Sequence, residues 1–400
     1  MRVRFEFVVC STSNHELQTT NPGGEPHKPK NQMRIIISGG GTGGHIYPAI
    51  AIANELTALD PSTEILFVGA EGKMEMEKVP RAGYKIVGLP VVGIKRELTL
   101  SNLAFPFKLG QSLLKAQGII RDFRPDVAVG VGGYASGPVL LSASLQGIPT
   151  LIQEQNSYAG LTNKVLARWA SRICVAYPGM DAFFPADKIR LTGNPVRSDI
   201  QFADQQVDAG RTFFGLESSR PTLLVIGGSQ GSRTLNESME MGLKRFVDAG
   251  IQVIWQTGPA FIRSAGAKRA RTATATVGSS LIKAYDFIYD MDKAYAVADV
   301  VVSRAGALSV SELCLVGRPA ILVPFPAASE DHQTKNAMSL VDHNAAILVR
   351  DQDARQQLIT AALALLNNAP QRQQLSTQIK TLAKPDAARD IAEEVLTLCR

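Results

Sequence analysis

The stretch SGGGTGGHIYPAIAIANEL, residues 38–56, places five glycines between an apolar run and a helical pattern. The run before it, RIIIS at 34–38, predicts a buried strand, and the residues after the glycines predict a helix beginning near His45. Glycines between a strand and a helix let backbone N–H groups come close to a bulky anion. The stretch therefore predicts an α/β unit with an anion site at the turn.

The same alternation of apolar runs and amphipathic segments continues along the chain, and it restarts in the second half with PTLLVIGGSQGSRTLNESM at 221–239. Strands rich in β-branched residues that alternate with helices predict parallel sheets covered on both faces. The pattern thus predicts two doubly wound halves. Further strands are predicted at 64–69, 85–90, 126–131 and 149–155, and then at 251–258, 281–288, 298–306 and 319–326.

Three segments frame this pattern. Residues 11–32 are polar and lack periodicity, and we expect the whole extension 1–32 to be disordered. The joint between the halves is predicted near 190–200, where Gly193, Asn194 and Pro195 punctuate the chain. The tail 386–399 predicts a terminal amphipathic helix.

Composition sets only broad limits. A net charge of +6 and a pI near 9.1 favour anionic partners, but they do not choose among phosphates, nucleic acid and lipid headgroups. The four cysteines lie far apart, which argues against a disulfide framework or a zinc site and fits a reducing cytosol. There is no run of about 18 apolar residues of the kind that crosses a bilayer.

The first glycine loop admits two functional interpretations. Gly39, Gly41 and Gly44 fit the dinucleotide pattern G-x-G-x-x-G, and Glu71 stands where an acid that binds ribose would follow. That pattern favours a nicotinamide or flavin enzyme. The alternative is that the loop binds the diphosphate of an acceptor while His45 takes a proton from the attacking group. His45 could also simply hydrogen-bond a neighbour.

The polar loops of the second half predict a second ligand site, because ligands of open α/β sheets bind at the carboxyl ends of the strands. The turn 227–231, which contains Ser229 and Gln230, is another anion site at a helix start. In SRAGALSVSEL, 303–313, Glu312 could accept ribose hydroxyls, or it could form a capping box with Ser309. In EDHQTKNA, 330–337, His332, Gln333 and Asn336 suit sugar hydroxyls.

Two Asp-x-Asp pairs, at 290–292 and 351–353, resemble metal-binding pairs. Both precede helical stretches, so we expect their aspartates to cap helices and complement the dipole. If a diphosphate leaves during the reaction and no metal ion neutralises its charge, helix N-termini and a cation must do so. Arg197, just past the Asn-Pro turn, is the expected cation.

The segment 93–116 mixes leucines and phenylalanines with lysines and an arginine. This composition is typical of helices that lie on anionic membranes, although a core helix with a basic outer face has the same composition.

The chain contains, in order, the motifs GGGTGGH, GVGGYASGP, QEQN, GNPVR, GGSQGS, AGALSVSE and DHQTKNA. Taken together, these motifs resemble the bacterial MurG family of glycosyltransferases, family 28, over essentially all of residues 33–400. The resemblance implies the GT-B fold, in which two Rossmann-like doubly wound parallel-sheet domains face a central cleft and the terminal helix crosses back to the first.

The implied activity is transfer of N-acetylglucosamine from UDP-GlcNAc to the C4 hydroxyl of the muramyl sugar of lipid I, which gives lipid II with inversion. The implied domains are an acceptor and membrane domain at 33–197 with the terminal helix at 384–400, and a UDP-GlcNAc domain at 198–383. No cofactor, metal or nucleic acid is implied. The implied location is the cytoplasmic face of the inner membrane, held peripherally through 93–116, with cell-wall and division proteins as candidate partners.

The resemblance also implies residue roles. His45 is the candidate base, with Tyr134 and Glu154 as weaker partners, and Glu312 contacts the ribose. His332 stands where some members carry Gln, and the 32-residue extension is atypical of the family. The implied contacts to the acceptor end of the cleft are Thr42, Gly43, Gly44 and Asn156, and those to the nucleotide sugar are Arg197, Ser229, Gln230, Ile288 (backbone to uracil), Ala307, Leu308, Ser309, Val310, Ser311, Glu312 and Gln333.

Three other functions stay open at this point. One is another GT-B enzyme, such as a glycolipid synthase or a UDP-GlcNAc epimerase. The second is an NAD(P)-dependent oxidoreductase, and the third is a partner of the wall-synthesis machinery that binds nucleotide sugar without turnover. Fold alone does not choose among them.

Overall fold

The computed structural model describes residues 32–91, 105–263 and 280–399. The predicted disorder of 1–32 falls almost wholly outside these residues and stays a prediction. Residues 93–104, half of the predicted membrane segment 93–116, also lie outside them.

The first lobe is built on a parallel sheet with strand order β3-β2-β1-β4-β5-β6-β7 among the described residues. The order reverses direction between β1 and β4, which opens a crevice at the carboxyl ends of these strands. The strands are β1 (Arg34–Ser38), β2 (Glu64–Ala70), β3 (Lys85–Leu89), β4 (Val127–Gly130), β5 (Thr150–Glu154), β6 (Arg172–Val175) and β7 (Ile189–Leu191). The helices are α1 (Gly43–Leu59), α2 (Glu75–Arg81), α3 (Phe105–Phe123), α4 (Ser136–Leu145) and α5 (Leu161–Leu166), with 3₁₀ turns at Met180–Ala182 and Ala186–Lys188.

The second lobe repeats the design with strand order β10-β9-β8-β11-β12-β13 in the described part of the chain. The strands are β8 (Thr222–Ile226), β9 (Gln252–Gln256), β10 (Ile282–Tyr285), β11 (Val300–Ser303), β12 (Ala320–Leu322) and β13 (Ile347–Leu348). The helices are α6 (Ser198–Gln201), α7 (Val207–Phe214), α8 (Arg233–Asp248), α9 (Pro259–Arg263), α10 (Met291–Val297), α11 (Ala307–Val316), α12 (His332–Val341), α13 (Ala354–Leu366) and α14 (Ala369–Thr381), and the terminal helix α15 (Ala387–Leu398) packs on the first lobe. Short 3₁₀ turns lie at Ala203–Gln206, Ser329–Asp331 and Asp351–Asp353.

Each sheet is buried on both faces, as its uninterrupted apolar strands require. In β1, Ile35 and Ile37 enter one buried cluster while Ile36 enters the cluster on the opposite face. In β8, Leu223 and Leu224 divide in the same way. The predicted fold class, two Rossmann-like parallel sheets with helices on both faces, is confirmed.

The chain crosses between the lobes twice, and the two crossings touch. After β7 it passes through 192–197 into α6, whose Ile200 lies in a core cluster of the second lobe. After α14 it returns to α15, whose Ile391 packs in the cluster that contains Ile46 of α1. A Cβ on Gly193 would lie 2.5 Å from Cβ of Lys384, so only glycine lets the crossings approach this closely. The domain boundaries predicted at 197 and 384 stay predictions.

Candidate active site

A cavity of about 520 Å³ lies between the lobes at the carboxyl ends of their strands. This is the size and position expected of a ligand site in such a fold. The sequence-predicted residues that line it are Thr42, Gly43, Gly44, His45, Asn156, Arg197, Ser229, Ile288, Ala307, Leu308, Ser309, Glu312 and Gln333.

Of the residues given roles by the family resemblance, five do not line this cavity. Tyr134 is 57% exposed on the loop after β4, and Gln230 lines a neighbouring hollow at the start of α8. Val310 is buried in the core of the second lobe, and the Ser311 hydroxyl donates to the Ala307 carbonyl within α11. The fifth residue is Glu154.

Glu154 lies beneath the cavity rather than in it. It is 2% exposed, and both carboxylate oxygens already accept hydrogen bonds. Oε1 accepts from the Asn156 backbone N–H at 3.1 Å, while Oε2 accepts from the Gly160 N–H at 2.9 Å and from Asn163 Nδ2 at 2.8 Å. This arrangement fixes the loop that carries Asn156, so the carboxylate acts as an anchor.

The N-terminus of α1 opens onto the cavity. Thr42 is the N-cap residue with an extended backbone, and its side chain makes no capping hydrogen bond. Within the described residues, the N–H groups of Gly43 and Gly44 meet no protein acceptor. Two exposed donors at the positive end of a 17-residue helix form an anion site.

The inner side of the same loop already holds an anion. Glu75 is fully buried, and its carboxylate accepts from the Gly41 N–H at 2.9 Å and the Ala70 N–H at 3.0 Å. A Cβ on Gly40 would lie 2.1 Å from Glu75 Oε1. The first half of the glycine loop is therefore shaped by a carboxylate of the protein itself.

His45 stands in the first turn of α1, at the edge of the cavity. Its Nδ1 lies 3.1 Å from Oε1 of Gln155, and a Cβ on Gly132 would come within 2.9 Å of the same nitrogen. Burial lowers the pKa of His45 below 6.5, while the Glu154 charge, the Gln155 side chain and the Val131 carbonyl oppose that shift. The lowered pKa favours the neutral ring, the form that can accept a proton.

Across the cavity, α11 points its own N-terminus at the same space. Gly306 is the N-cap, and the first bond of the helix runs from the Val310 N–H to the Gly306 carbonyl. In the described part of the chain, the N–H groups of Ala307, Leu308 and Ser309 have no protein acceptor. The cavity therefore lies between two anion-binding helix ends, one from each lobe.

Glu312 lies one turn into α11 and does not form the capping box that the pattern allowed. Ser309 is the third residue of the helix rather than its cap, and Glu312 Oε2 accepts from the Tyr295 hydroxyl at 2.9 Å. Burial raises the pKa of Glu312, and the Arg197 charge and the Tyr295 hydrogen bond oppose that rise. A carboxylate on the cavity wall with one oxygen held in this way can accept from a ligand hydroxyl.

Sequence reasoning missed two residues that shape the donor side. Gln256, the last residue of β9, accepts from the Ile288 N–H at 2.9 Å and donates to the Gly228 carbonyl at 3.0 Å. It thereby connects the glycine turn 227–231 to Ile288, whose backbone is expected to contact uracil. Tyr295 lies in mid-helix and nothing in its local pattern marks it, whereas a polar residue at a strand's carboxyl end could have marked Gln256.

Asn336 was expected near sugar hydroxyls, but it joins the lobes instead. It is fully buried, and its Oδ1 accepts from the backbone N–H and the hydroxyl of Ser157, at 3.1 and 3.0 Å. Its Nδ2 donates to the Ala305 carbonyl and to Asn156 Oδ1, both at 3.3 Å. These bonds occupy the amide, which leaves the cavity wall at this helix to His332 and Gln333.

Comparison with known proteins assigns the family. The profile of the Glycosyltransferase family 28 N-terminal domain matches residues 35–175, and that of the Glycosyltransferase family 28 C-terminal domain matches residues 222–391. A protein of Cytophaga hutchinsonii is 54% identical over 91% of this chain and 96% of its own length. The chain belongs to glycosyltransferase family 28.

Other relatives support the same family assignment. A Parabacteroides distasonis protein is 53% identical over 92% of this chain and 98% of its own. Both relatives are named "UDP-N-acetylglucosamine--N-acetylmuramyl-(pentapeptide) pyrophosphoryl-undecaprenol N-acetylglucosamine transferase". The crystal structure of Acinetobacter baumannii MurG matches with a TM-score of 0.71 at 29% identity, over 91% of this chain and 99% of that one. The predicted family and glycosyltransferase class are confirmed.

The Asp-x-Asp pairs of this family 28 chain make ion pairs instead of the expected side-chain caps. Asp290 bonds Lys293 Nζ at 2.6 Å, and Asp351 bonds Arg304 at 2.6 Å. Neither Asp290 nor Asp353, the residues at the two cap positions, makes a capping hydrogen bond. Among the described residues, no group of three or more His, Cys, Asp or Glu is arranged to hold a metal ion.

The oxidoreductase alternative is not favoured by family 28 membership. Glu71, its ribose-binding candidate, lies off the cavity and pairs with Lys115 Nζ at 2.7 Å. Within the part of the chain that the structure describes, no helix has the length and apolar character to cross a membrane.

Proposed function

We propose that the chain transfers N-acetylglucosamine from UDP-GlcNAc to the C4 hydroxyl of the muramyl sugar of lipid I, forming lipid II with inversion. The observation that carries this proposal is the cavity with a helix N-terminus on each side, because both substrates of the reaction carry a diphosphate. The names of the relatives at 54 and 53% identity supply the identity of the two diphosphates.

In this proposal the nucleotide sugar binds to the second lobe. The donor diphosphate takes the N–H groups at the start of α11, with Ser229 and Arg197 beside it. Glu312 accepts from a ribose hydroxyl, and Gln333 lies near the sugar. The Ile288 N–H is already held by Gln256, so the uracil would bond the Ile288 carbonyl. Within the predicted run 307–312, Val310 and Ser311 support the helix without touching the ligand.

The acceptor binds to the first lobe. Its diphosphate takes the N–H groups of Gly43 and Gly44, with Thr42 and Asn156 lining the reacting end. His45 accepts the proton of the C4 hydroxyl. We assign Glu154 to holding the Asn156 loop rather than to proton transfer, because its oxygens are already bonded. Tyr134, exposed outside the cavity, has no role in proton transfer in this scheme.

The chemistry needs a single in-line displacement. The C4 oxygen forms a bond to the anomeric carbon as the bond from that carbon to the UDP oxygen breaks, which inverts the anomeric configuration. The proton passes to His45, and the charge that develops on UDP is stabilised by the α11 dipole and by Arg197. One base and one stabilised leaving group suffice, so no covalent intermediate on the enzyme is required.

We further propose peripheral attachment to the cytoplasmic face of the inner membrane, where a polyprenyl-linked acceptor would lie, in the service of cell-wall growth, shape and division. In the described part of segment 93–116, Lys108 is exposed and Leu114 is 70% exposed. Exposed apolar and basic side chains on one helix suit an anionic bilayer. Reversing the charges of Lys95, Arg96 and Lys108 should weaken binding to anionic vesicles. Unchanged sedimentation with the vesicles would rule the segment out.

The decisive experiment for the transferase is an assay with labelled UDP-GlcNAc and a short-chain lipid I analogue, with a control that lacks acceptor. Product that depends on acceptor supports the proposal. UDP-GlcNAc binding without product would favour an idle binding partner or a different acceptor, and conversion of UDP-GlcNAc without acceptor would favour an epimerase. Nicotinamide binding without UDP-GlcNAc binding would overturn the assignment.

A further inference from the structure

A series of hydrogen-bonded, buried amide side chains connects the joint between the lobes to His45. It begins at Ser311 of α11, passes through Asn194 of the crossing segment, and reaches the base through Gln153 and Gln155. The three amides are between 0 and 2% exposed. Buried amides must satisfy their donors and acceptors within the protein, so the direction of each bond is constrained by the next.

The orientation of these amide side chains is fixed at Asn194. Its Nδ2 donates to the main-chain carbonyl of Gln155 at 3.0 Å, and a carbonyl can only accept. The Ser311 hydroxyl, which donates to the Ala307 carbonyl, accepts from the same Nδ2 at 3.0 Å. Asn194 therefore presents Oδ1 to Gln153, whose Nε2 donates to it at 3.1 Å.

The constraint passes on to Gln155. Because Gln153 has its Nε2 turned to Asn194, its Oε1 accepts from Gln155 Nε2. The same Nε2 also donates to the Val131 carbonyl at 2.7 Å. Reversing the Gln155 amide would set its oxygen against two acceptor oxygens. Oε1 of Gln155 is therefore the atom that faces Nδ1 of His45, at 3.1 Å.

We propose that Gln155, held by Gln153 and Asn194, is a positioning residue that keeps neutral His45 in the Nδ1–H tautomer and so leaves Nε2 as its basic nitrogen. An acceptor fixed at Nδ1 requires a proton there, and the tautomer of a catalytic histidine decides which nitrogen can take a proton. The consequence for rate rests on the proposed role of His45 as base. The tautomer itself does not depend on that role.

The tautomer can be read directly by nitrogen NMR of full-length protein labelled with ¹⁵N-histidine, with His45→Ala used to assign the signals. We expect wild-type His45 to show a protonated Nδ1 and an unprotonated Nε2 at neutral pH. Gln155→Leu should lose this signature, whereas Gln146→Leu, at an exposed glutamine of the same lobe, should keep it. A protonated Nε2 in the wild type, or an unchanged signature in Gln155→Leu, would overturn the proposal.

Kinetics give a second readout. Gln155→Leu should lower kcat roughly 10- to 100-fold with the KM for UDP-GlcNAc nearly unchanged, because proton transfer is impaired and donor binding is not. Gln155→Glu should move the acid limb of kcat/KM to higher pH, since a carboxylate at Nδ1 stabilises the protonated ring. An unmoved limb in Gln155→Glu would count against the positioning role.

The two proposals fail in different ways. If the wild type transfers no sugar but shows the Nδ1–H tautomer, the proposed function fails and the tautomer assignment stands. If transfer proceeds with His45 protonated at Nε2, only the tautomer assignment fails. Should Gln155→Leu fail to fold, the wild-type spectrum and the pH profile of Gln155→Glu decide the question.

Discussion

Replacing Gly132 by alanine would press a methyl group against the ring of His45. The added Cβ would lie 2.8 Å from Cε1 and 2.9 Å from Nδ1 of the histidine. Carbon atoms in ordinary contact lie about 3.5–4.0 Å apart, so the ring must move by roughly 0.6–1.2 Å. That displacement breaks the hydrogen bond to Gln155 and moves the base from its position.

Two costs can be worked out from this geometry. Gly132 has φ +91°, where a non-glycine residue costs roughly 1–2 kcal/mol of folding stability. A base misplaced by about 1 Å costs roughly 100-fold in rate. We therefore expect Gly132→Ala to lower kcat by about two orders of magnitude with only a modest loss of stability.

Gly147→Ala is the matched control. Gly147 lies in the same lobe with φ +73°, and an added Cβ would meet nothing within 4 Å. It therefore carries the same kind of backbone penalty without touching the site. Both variants would be compared by melting temperature, by calorimetric titration with UDP-GlcNAc, and by steady-state transfer to the lipid I analogue.

We expect similar melting temperatures and similar UDP-GlcNAc affinities for the two variants, with kcat lowered only in Gly132→Ala. Equal kcat values in the two alanine variants would refute this expectation, because they would mean that His45 either moves at no cost or does not act as the base. A Gly132→Ala protein that has lost UDP-GlcNAc binding would show damage beyond His45.

Three further predictions follow from the same contacts. Because burial lowers the pKa of His45, the acid limb of kcat/KM for transfer should have its midpoint below pH 6.5, and a midpoint above pH 6.5 would contradict this. His45→Ala should cut kcat by roughly 10²–10⁴. Tyr295→Phe removes the hydroxyl that donates to Glu312 at 2.9 Å and should weaken UDP-GlcNAc binding roughly 3- to 30-fold, as measured by calorimetry. An unchanged affinity would mean that Glu312 does not belong to the donor site. Asn336→Ala should lower the free energy of unfolding, measured in urea, by about 1–3 kcal/mol relative to the control Asn367→Ala, which changes an exposed asparagine. Equal values for the two variants would mean that the bonds to Ser157 do not stabilise the fold.

Apolar runs predicted most of the strands closely. The run at 85–90 became β3 at Lys85–Leu89, and that at 34–38 became β1 at Arg34–Ser38. The strands that were not predicted, β6, β7 and β13, have two to four residues and lie toward sheet edges. Strands this short are formed by pairing with a neighbour, and the local pattern contains no trace of that neighbour.

In the site, local patterns marked the right loops but not the right faces. The run from Ala307 to Glu312 was assigned to the ligand as a block. At 3.6 residues per turn a helix cannot present six consecutive side chains to one surface, so Val310 turns to the core and Ser311 to Asn194. Motif matching does not distinguish the residues that face the cavity from those that face the core. Helical geometry does so once the helix start at Ala307 is known.

In the glycine-rich stretch, too, the local pattern did not mark the side chains that lie against the glycines. A Cβ on Gly39 would lie 2.1 Å from Val131 Cγ2, and Gly40 and Gly41 lie against the Glu75 carboxylate. Among the described glycines of this loop, Gly43 and Gly44 line the cavity, and their N–H groups have no protein acceptor. The loop thus has an inner face that binds a carboxylate of the protein and an outer face available to a ligand anion. Because the carboxylate on the inner face belongs to the protein itself, the loop is held in shape before any substrate arrives, and a bound diphosphate need not supply the free energy to order it.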